Sequence, residues 1–130
     1  MNAPPDLDTL KFNADGLIPA ISQQHDTGEV LMMAWMNRES LQETFQTGVA
    51  CYWSRSRKQF WKKGETSGHV QKIKAIRTDC DRDTLLLLVD QVGVACHTGR
   101  KNCFYLEARE KQWVEIAAPL KNPDEIYGKS

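Results

Sequence analysis

Leu17-Ile18-Pro19-Ala20-Ile21-Ser22-Gln23 and Val30-Leu31-Met32-Met33-Ala34-Trp35-Met36, parted by the turn residues Asp26-Thr27-Gly28, decide the fold class of this chain. Each is a short apolar run bounded by turn formers, the signature of a strand. Asn37 then stands where an N-cap belongs. Arg38 to Thr47 has good helix formers, Leu41 and Phe45 lie four apart on one face, and Gly48 closes the segment. Strand-like stretches follow at Ala50 to Arg55, Val70 to Thr78, Thr84 to Val92, Phe104 to Arg109 and Trp113 to Ile116. One short helix among many strands predicts an α+β protein dominated by its sheet.

The chain has 130 residues, within the usual range for one domain and enough for a core of its own. Its 17 basic and 17 acidic residues balance, which argues against a general nucleic-acid or membrane-surface binder and leaves room for a local basic patch. The polar, proline-containing ends, residues 1–9 and 118–130, are expected to be peripheral to a working domain over residues 10–117. The opening Met1-Asn2-Ala3-Pro4-Pro5 lacks the basic start and apolar core of a signal peptide, and no apolar run is long enough to span a membrane. A cytoplasmic location is expected.

In that reducing setting Cys51, Cys80, Cys96 and Cys103 are candidates for metal binding or catalysis rather than for disulfides. Cys51, flanked by Val49, Ala50 and Tyr52, reads as a small buried hydrophobe. Cys96 and Cys103 lack the close Cys-x-x-Cys pairing of ordinary structural zinc sites. Asp79-Cys80-Asp81-Arg82-Asp83 sets two kinds of ligand side by side. Carboxylate oxygens suit magnesium, calcium or manganese, and thiolates suit zinc or an iron-sulfur cluster. In an extended strand Asp79, Asp81 and Asp83 would share one face with Cys80 on the other; the alternative is a polar turn entering the apolar run Thr84 to Val89.

A second stretch concentrates cations, hydroxyls and glycines: Trp53-Ser54-Arg55-Ser56-Arg57, then Trp61-Lys62-Lys63-Gly64-Glu65-Thr66-Ser67-Gly68-His69. Arginine binds phosphate bidentately, and glycines let backbone N–H groups approach an anion, so the stretch makes a plausible phosphate cradle. It is not a P-loop, because the Gly-x-x-x-x-Gly-Lys-Ser/Thr order is absent. A solvated basic loop beside two structural tryptophans is the competing reading.

Taken in register, Trp53-Ser-Arg-Ser-Arg57, Trp61-x-Lys-Gly-Glu-Thr-Ser-Gly-His69, Asp79-Cys-Asp-x-Asp83, and Cys96-His97 with Cys103-Phe104 resemble the phosphoribosyl-AMP cyclohydrolases of histidine biosynthesis. The resemblance runs from about Leu17 to Phe104 and takes in Glu29-Val-Leu-Met-Met-Ala-Trp-Met-Asn37. It implies a hydrolase that opens the adenine ring of phosphoribosyl-AMP, giving the phosphoribosyl-formimino carboxamide ribonucleotide without releasing ammonia. It implies zinc on Cys80, Cys96 and Cys103, with Cys80 from one subunit and the other two from its partner, and magnesium on Asp79, Asp81 and Asp83. It also implies a folded mixed β-sheet with little helix in an interlocked homodimer. Some relatives carry a fused phosphoribosyl-ATP pyrophosphatase domain; the residues after Cys103 are too few for one, so this chain is expected to perform the cyclohydrolase step alone.

Three thiolates would give a zinc site net negative charge, so a water activated there is expected to need a base. His97 is the first candidate and His69 the second, since histidine titrates near neutrality; His97 could instead orient a zinc ligand. Two 5′-phosphates explain Arg55, Arg57, Lys62, Lys63, Thr66 and Ser67 in one stretch, while Trp53 or Trp61 could stack on the purine or pack the core. Glu65 could accept a hydrogen bond from substrate or anchor its loop through Lys62 or Lys63. Two other classes stand beside this one. A zinc nucleotide deaminase would expel ammonia, but the His-x-Glu and Pro-Cys-x-x-Cys signature is missing. A zinc-stabilised nucleic-acid-binding module is disfavoured by the balanced charge.

Overall fold

The structure, a computed structural model, describes residues 4–64, 67–96 and 98–120. The expected hairpin forms from β1 (Ile18–Gln24) and β2 (Val30–Met36), paired antiparallel with Ala20 opposite Ala34. The helix α1 spans Arg38–Thr47 as expected. Its N-terminus is closed reciprocally: Asn37 Oδ1 accepts the Ser40 N–H at 2.8 Å, and Ser40 Oγ accepts the Asn37 N–H at 3.0 Å. Leu41 and Phe45, on one face with Ser40 and Thr44, are buried against β2 and the following strand, β3 (Cys51–Ser54).

The remaining strands are β4 (Gln59–Lys62), β5 (Gln71–Thr78), β6 (Leu85–Gln91), β7 (Leu106–Arg109) and β8 (Gln112–Glu115). Strands β1 to β6 form one sheet in the order β4-β3-β2-β1-β6-β5, in which, among the described residues, only β1 and β6 run parallel. The central strands show the period-two burial of a sheet with one face in the core: Ile18, Ala20 and Ser22 on β1, and Leu85, Leu87 and Val89 on β6. The sheet curls. The Ala50 N–H donates to Gln71 O at 3.0 Å and the Ile73 N–H to Gly48 O at 2.8 Å, so the approach to β3 pairs with the outer edge of β5.

Polar groups enclosed by this curl are paired. Tyr52, fully buried, donates to Gln71 Oε1 at 2.6 Å; Gln71 Nε2 donates to Ser22 Oγ at 3.1 Å and to Gln91 Oε1 at 2.9 Å. Burial pushes the Tyr52 hydroxyl pKa well up, so it stays a neutral donor. β7 and β8 form a separate hairpin. Arg100, itself buried, ties it down: the guanidinium donates to Ala117 O at 2.9 Å and Glu115 Oε2 at 3.0 Å and lies 3.9 Å over the Tyr105 ring.

The strand-rich α+β reading holds, with two local differences. Gln59–Lys62, read within the basic stretch, is a strand, because a turn at residues 55–58 folds it back on β3 with Trp53 opposite Phe60. The aspartates are not in an extended strand. Residues 79–84 form the turn between β5 and β6, with Arg82 at φ 60° and the Asp83 N–H donating to Asp79 Oδ1 at 3.1 Å. Leu7, from the amino-terminal segment expected to be peripheral, is 4% exposed and joins the core. No helix among the described residues is long and apolar enough to cross a membrane.

Candidate active site

The turn between β5 and β6 gathers ligand atoms of Asp79, Asp81 and Asp83 to within 4.8 Å of one another. All three carboxylates face solvent, and their mutual influence is visible in their acidity. Asp83 is held above the ordinary carboxylate range, first by its hydrogen bond with Asp79 and then by desolvation and the charges of Asp79 and Asp81. Asp79 is held below it: desolvation opposes, but hydrogen bonds from Asp83, Thr84 and Arg82 prevail. Such crowding of carboxylates is relieved by a divalent cation, and an all-oxygen set suits a hard one, so the turn fits magnesium.

Cys96 and Cys103 are brought together by the segment after β6. Its folding is local: the Cys96 N–H donates to Arg100 O at 3.2 Å, and the Gly99 N–H to Cys96 O at 3.0 Å. It is pinned to β2 at one end, where the Cys103 N–H donates to Leu31 O at 2.7 Å and Glu29 accepts from Asn102 at 2.7 Å and Lys101 at 3.0 Å. Burial and then the neighbouring Cys96 push the Cys103 thiol up to about 12. One buried thiol and one half-buried thiol make a soft donor set, and sulfur suits zinc. The exposed Cys80 thiol contacts Asp81 Oδ1 at 3.8 Å and does not converge with the pair within one chain.

The basic stretch lines an open cleft of about 850 Å³ on the β2-β3-β4 edge. Trp53, Arg55, Arg57, Trp61, Lys62, Lys63 and Ser67 all border it. Trp53 meets Phe60 edge-on at 5.7 Å, and Trp61 lies 5.4 Å from Tyr52. Arg55 is exposed with its guanidinium 4.8 Å over Trp35, Arg57 is exposed, and Lys62 pairs with Glu43 at 3.5 Å. Lys63 differs from these cations. It is 3% exposed, and its ammonium donates to Ala95 O beside the two thiols. Burial lowers its pKa while Cys103 and Cys96 act the other way. The cleft therefore runs from three solvent-facing cations to Lys63, whose ammonium reaches the segment carrying Cys96.

His69 packs against the start of the segment that carries Cys96. Its Nδ1 accepts the Val94 N–H at 3.3 Å, which leaves the ring proton of the neutral side chain on Nε2. The ring lies flat against Gly93, where an added β-carbon would sit 2.7 Å from ring atoms. Gly64, at φ 85°, is as tightly enclosed: a β-carbon there would be 2.3 Å from Val70 N. Glu65, Thr66 and His97 lie outside the described residues. Sequence reasoning passed over Trp35 and Phe60 as cleft residues. The signal for Trp35 was its place opposite Trp53 across β2 and β3, which depends on a strand register that sequence alone does not supply.

The family model for phosphoribosyl-AMP cyclohydrolase matches residues 32–105. A protein of Magnetococcus marinus named phosphoribosyl-AMP cyclohydrolase is 71% identical over 96% of this chain and 97% of its own length. Proteins of the same name from Rhodospirillum rubrum and Thioalkalivibrio sulfidiphilus are 62% and 59% identical, covering 92% and 94% of this chain and 84% and 94% of their own lengths. The matched span carries the cleft residues, Cys80, Cys96, Cys103 and the three aspartates described above, and on that likeness the chain belongs to the phosphoribosyl-AMP cyclohydrolase family.

Proposed function

We propose that this protein opens the six-membered ring of phosphoribosyl-AMP by adding water at the carbon bearing the amino group, retaining the nitrogen in the product. Membership of the family makes it a hydrolase of histidine biosynthesis. The observation that carries the reading is the cleft lined by exposed cations at one end and, at the other, by Lys63, whose ammonium reaches the segment carrying Cys96. Those ends suit the two chemical parts of the substrate, its phosphates and its reacting ring. Arg55, Arg57 and Lys62 hold phosphate by charge-assisted hydrogen bonds. The indole of Trp53 or Trp61 offers a face for the purine.

Zinc held by Cys80, Cys96 and Cys103 would supply Lewis acidity that makes water a nucleophile near neutral pH, and magnesium on Asp79, Asp81 and Asp83 would neutralise phosphate charge. The histidines divide the proton work. With Nδ1 engaged by Val94, neutral His69 is a donor through Nε2 and has no free lone pair for a base. This favours His97, adjoining Cys96 in sequence, for proton removal from water, with His69 donating to substrate. Breaking the bond to the ribosylated ring nitrogen then completes ring opening.

The same residues support a homodimer. Cys80 is exposed and apart from Cys96 and Cys103, so a second copy would have to bring it to the pair. Apolar surface for such contact is available at Phe104, Leu106, Trp113 and Ile116, each about half exposed or more. The deciding experiment is turnover of phosphoribosyl-AMP by metal-free protein with zinc and magnesium restored separately. Activity that returns only when zinc is present, without ammonia in the product mixture, supports the reading; ammonia release would point to a deaminase instead.

A further inference from the structure

Among the described residues, Lys63 is the one cation of the cleft turned away from solvent. Placing an ammonium at 3% exposure is costly without a compensating anion or acceptor. Its visible partners are the carbonyl of Ala95, directly before Cys96, and the Trp61 ring, whose centroid is 5.5 Å away. Neither is an anion. Among the described residues, the groups facing it that can become anionic are Cys96 and Cys103. Converse reasoning applies to the thiols. Three thiolates around one divalent cation leave a net charge of about −1, and a half-buried centre of that charge is itself poorly solvated.

We infer that Lys63 is a positioning residue of the metal centre, its fixed ammonium offsetting the excess negative charge of the cysteine ligands rather than binding substrate phosphate. The inference rests on zinc occupying the cysteines, as in the reading above. The structure supports a fixed charge rather than a mobile one. Lys63 lies directly after β4, its N–H donates to Ala50 O at 3.0 Å, and its side chain is enclosed by Trp61 and the segment carrying Cys96. Gly64 follows it at a turn with no room for a β-carbon, so the chain is steered away immediately beyond the lysine. Lys62, Arg55 and Arg57 remain exposed for the phosphates. One short strand end thus supplies two cations of different duty, Lys62 to the cleft and Lys63 to the thiols.

The test is zinc affinity of the full-length protein, measured by competition with a chromophoric chelator, for wild type, Lys63→Gln, Lys63→Met and Lys63→Arg. Gln keeps a donor for the Ala95 carbonyl without charge, Met removes both, and Arg keeps the charge. Zinc should bind both neutral variants about ten- to a hundredfold more weakly than wild type, the range for loss of a group supporting a metal site, and Arg should weaken it less than either. Cobalt in place of zinc should retain its thiolate-to-metal absorption in every variant that binds, reporting an unchanged ligand set. Equal zinc affinity in wild type and folded Lys63→Gln would overturn the inference, as would weakening in Arg as severe as in Gln. If neither neutral variant folds in the absence of metal while Arg does, the charge serves folding and the inference also falls. Wild type that binds no zinc at the cysteines would remove the underlying reading and this inference with it.

Discussion

At Gly93 one missing methyl group decides where an imidazole can lie. A β-carbon would come within 2.7 Å of the His69 ring, and the φ of 71° already disfavours any side chain. Gly93→Ala is therefore expected to displace His69 from the Val94 amide and lower turnover by up to about a hundredfold, the scale of a misplaced catalytic group. Its zinc content should stay near normal; kcat and bound zinc measured on one preparation check both statements. Asp81 tests the other metal. Asp81→Asn should abolish or sharply weaken magnesium dependence while zinc content is maintained, because oxygen and sulfur ligands are separate; loss of zinc in that variant would refute two independent sites. At this scale the sequence was most informative about residue identity and least about residue state. His69 stood out as a candidate base, but the Val94 N–H that fixes its tautomer comes from a segment 25 residues away. Likewise Lys62 and Lys63 are neighbours in sequence with opposite exposure.

Elements place these residues, and the clearest case is the pinning of the thiol segment to β2. Glu29 receives hydrogen bonds from Asn102 and Lys101 just before β2 begins. Desolvation pushes its pKa up, but those two partners prevail and hold it below the ordinary 4.5. A carboxyl depressed in the folded state contributes stability above its unfolded value, and that contribution disappears as pH falls through the folded value. Glu29→Gln should therefore cost about 1 kcal/mol at neutral pH, and urea unfolding should show the difference from wild type shrinking below pH 4.5. A difference that persists undiminished in acid would mean that the carboxylate charge is not what matters. Strand and helix positions were legible where apolar runs ended at turn formers, and α1 was read to its caps because Asn37 and Gly48 act locally. β4 was not legible: its Gln59-Phe60-Trp61-Lys62 has neither a long apolar run nor burial, and it becomes a strand by pairing with β3. Of the two readings of the aspartates, strand alternation and a polar turn before Thr84, the turn is found, and the carboxylates converge through it with a left-handed Arg82.

For the whole molecule, the separation of Cys80 from Cys96 and Cys103 makes the assembly testable by symmetry. In a twofold dimer with shared sites, each site takes Cys80 from one chain and Cys96 with Cys103 from the other. Cys80→Ala and Cys96→Ala homodimers should each be nearly inactive, since every site lacks a ligand. When the two variants exchange subunits, a mixed dimer holds one site lacking both ligands and one intact site. Random pairing makes half the dimers mixed, so about a quarter of wild-type activity, and of wild-type zinc binding, should return. The sequence could suggest this arrangement only through family resemblance, because a single chain's pattern contains no partner. The fold adds a physical reason for it: Cys80 sits in the exposed β5–β6 turn while Cys96 and Cys103 lie on the segment that follows β6. Were all three cysteines to meet within one chain instead, no mixture of the two variants would contain an intact site. Absence of recovery after demonstrated exchange would then leave each subunit with a zinc site of its own and require the β5–β6 turn to move toward the thiol pair.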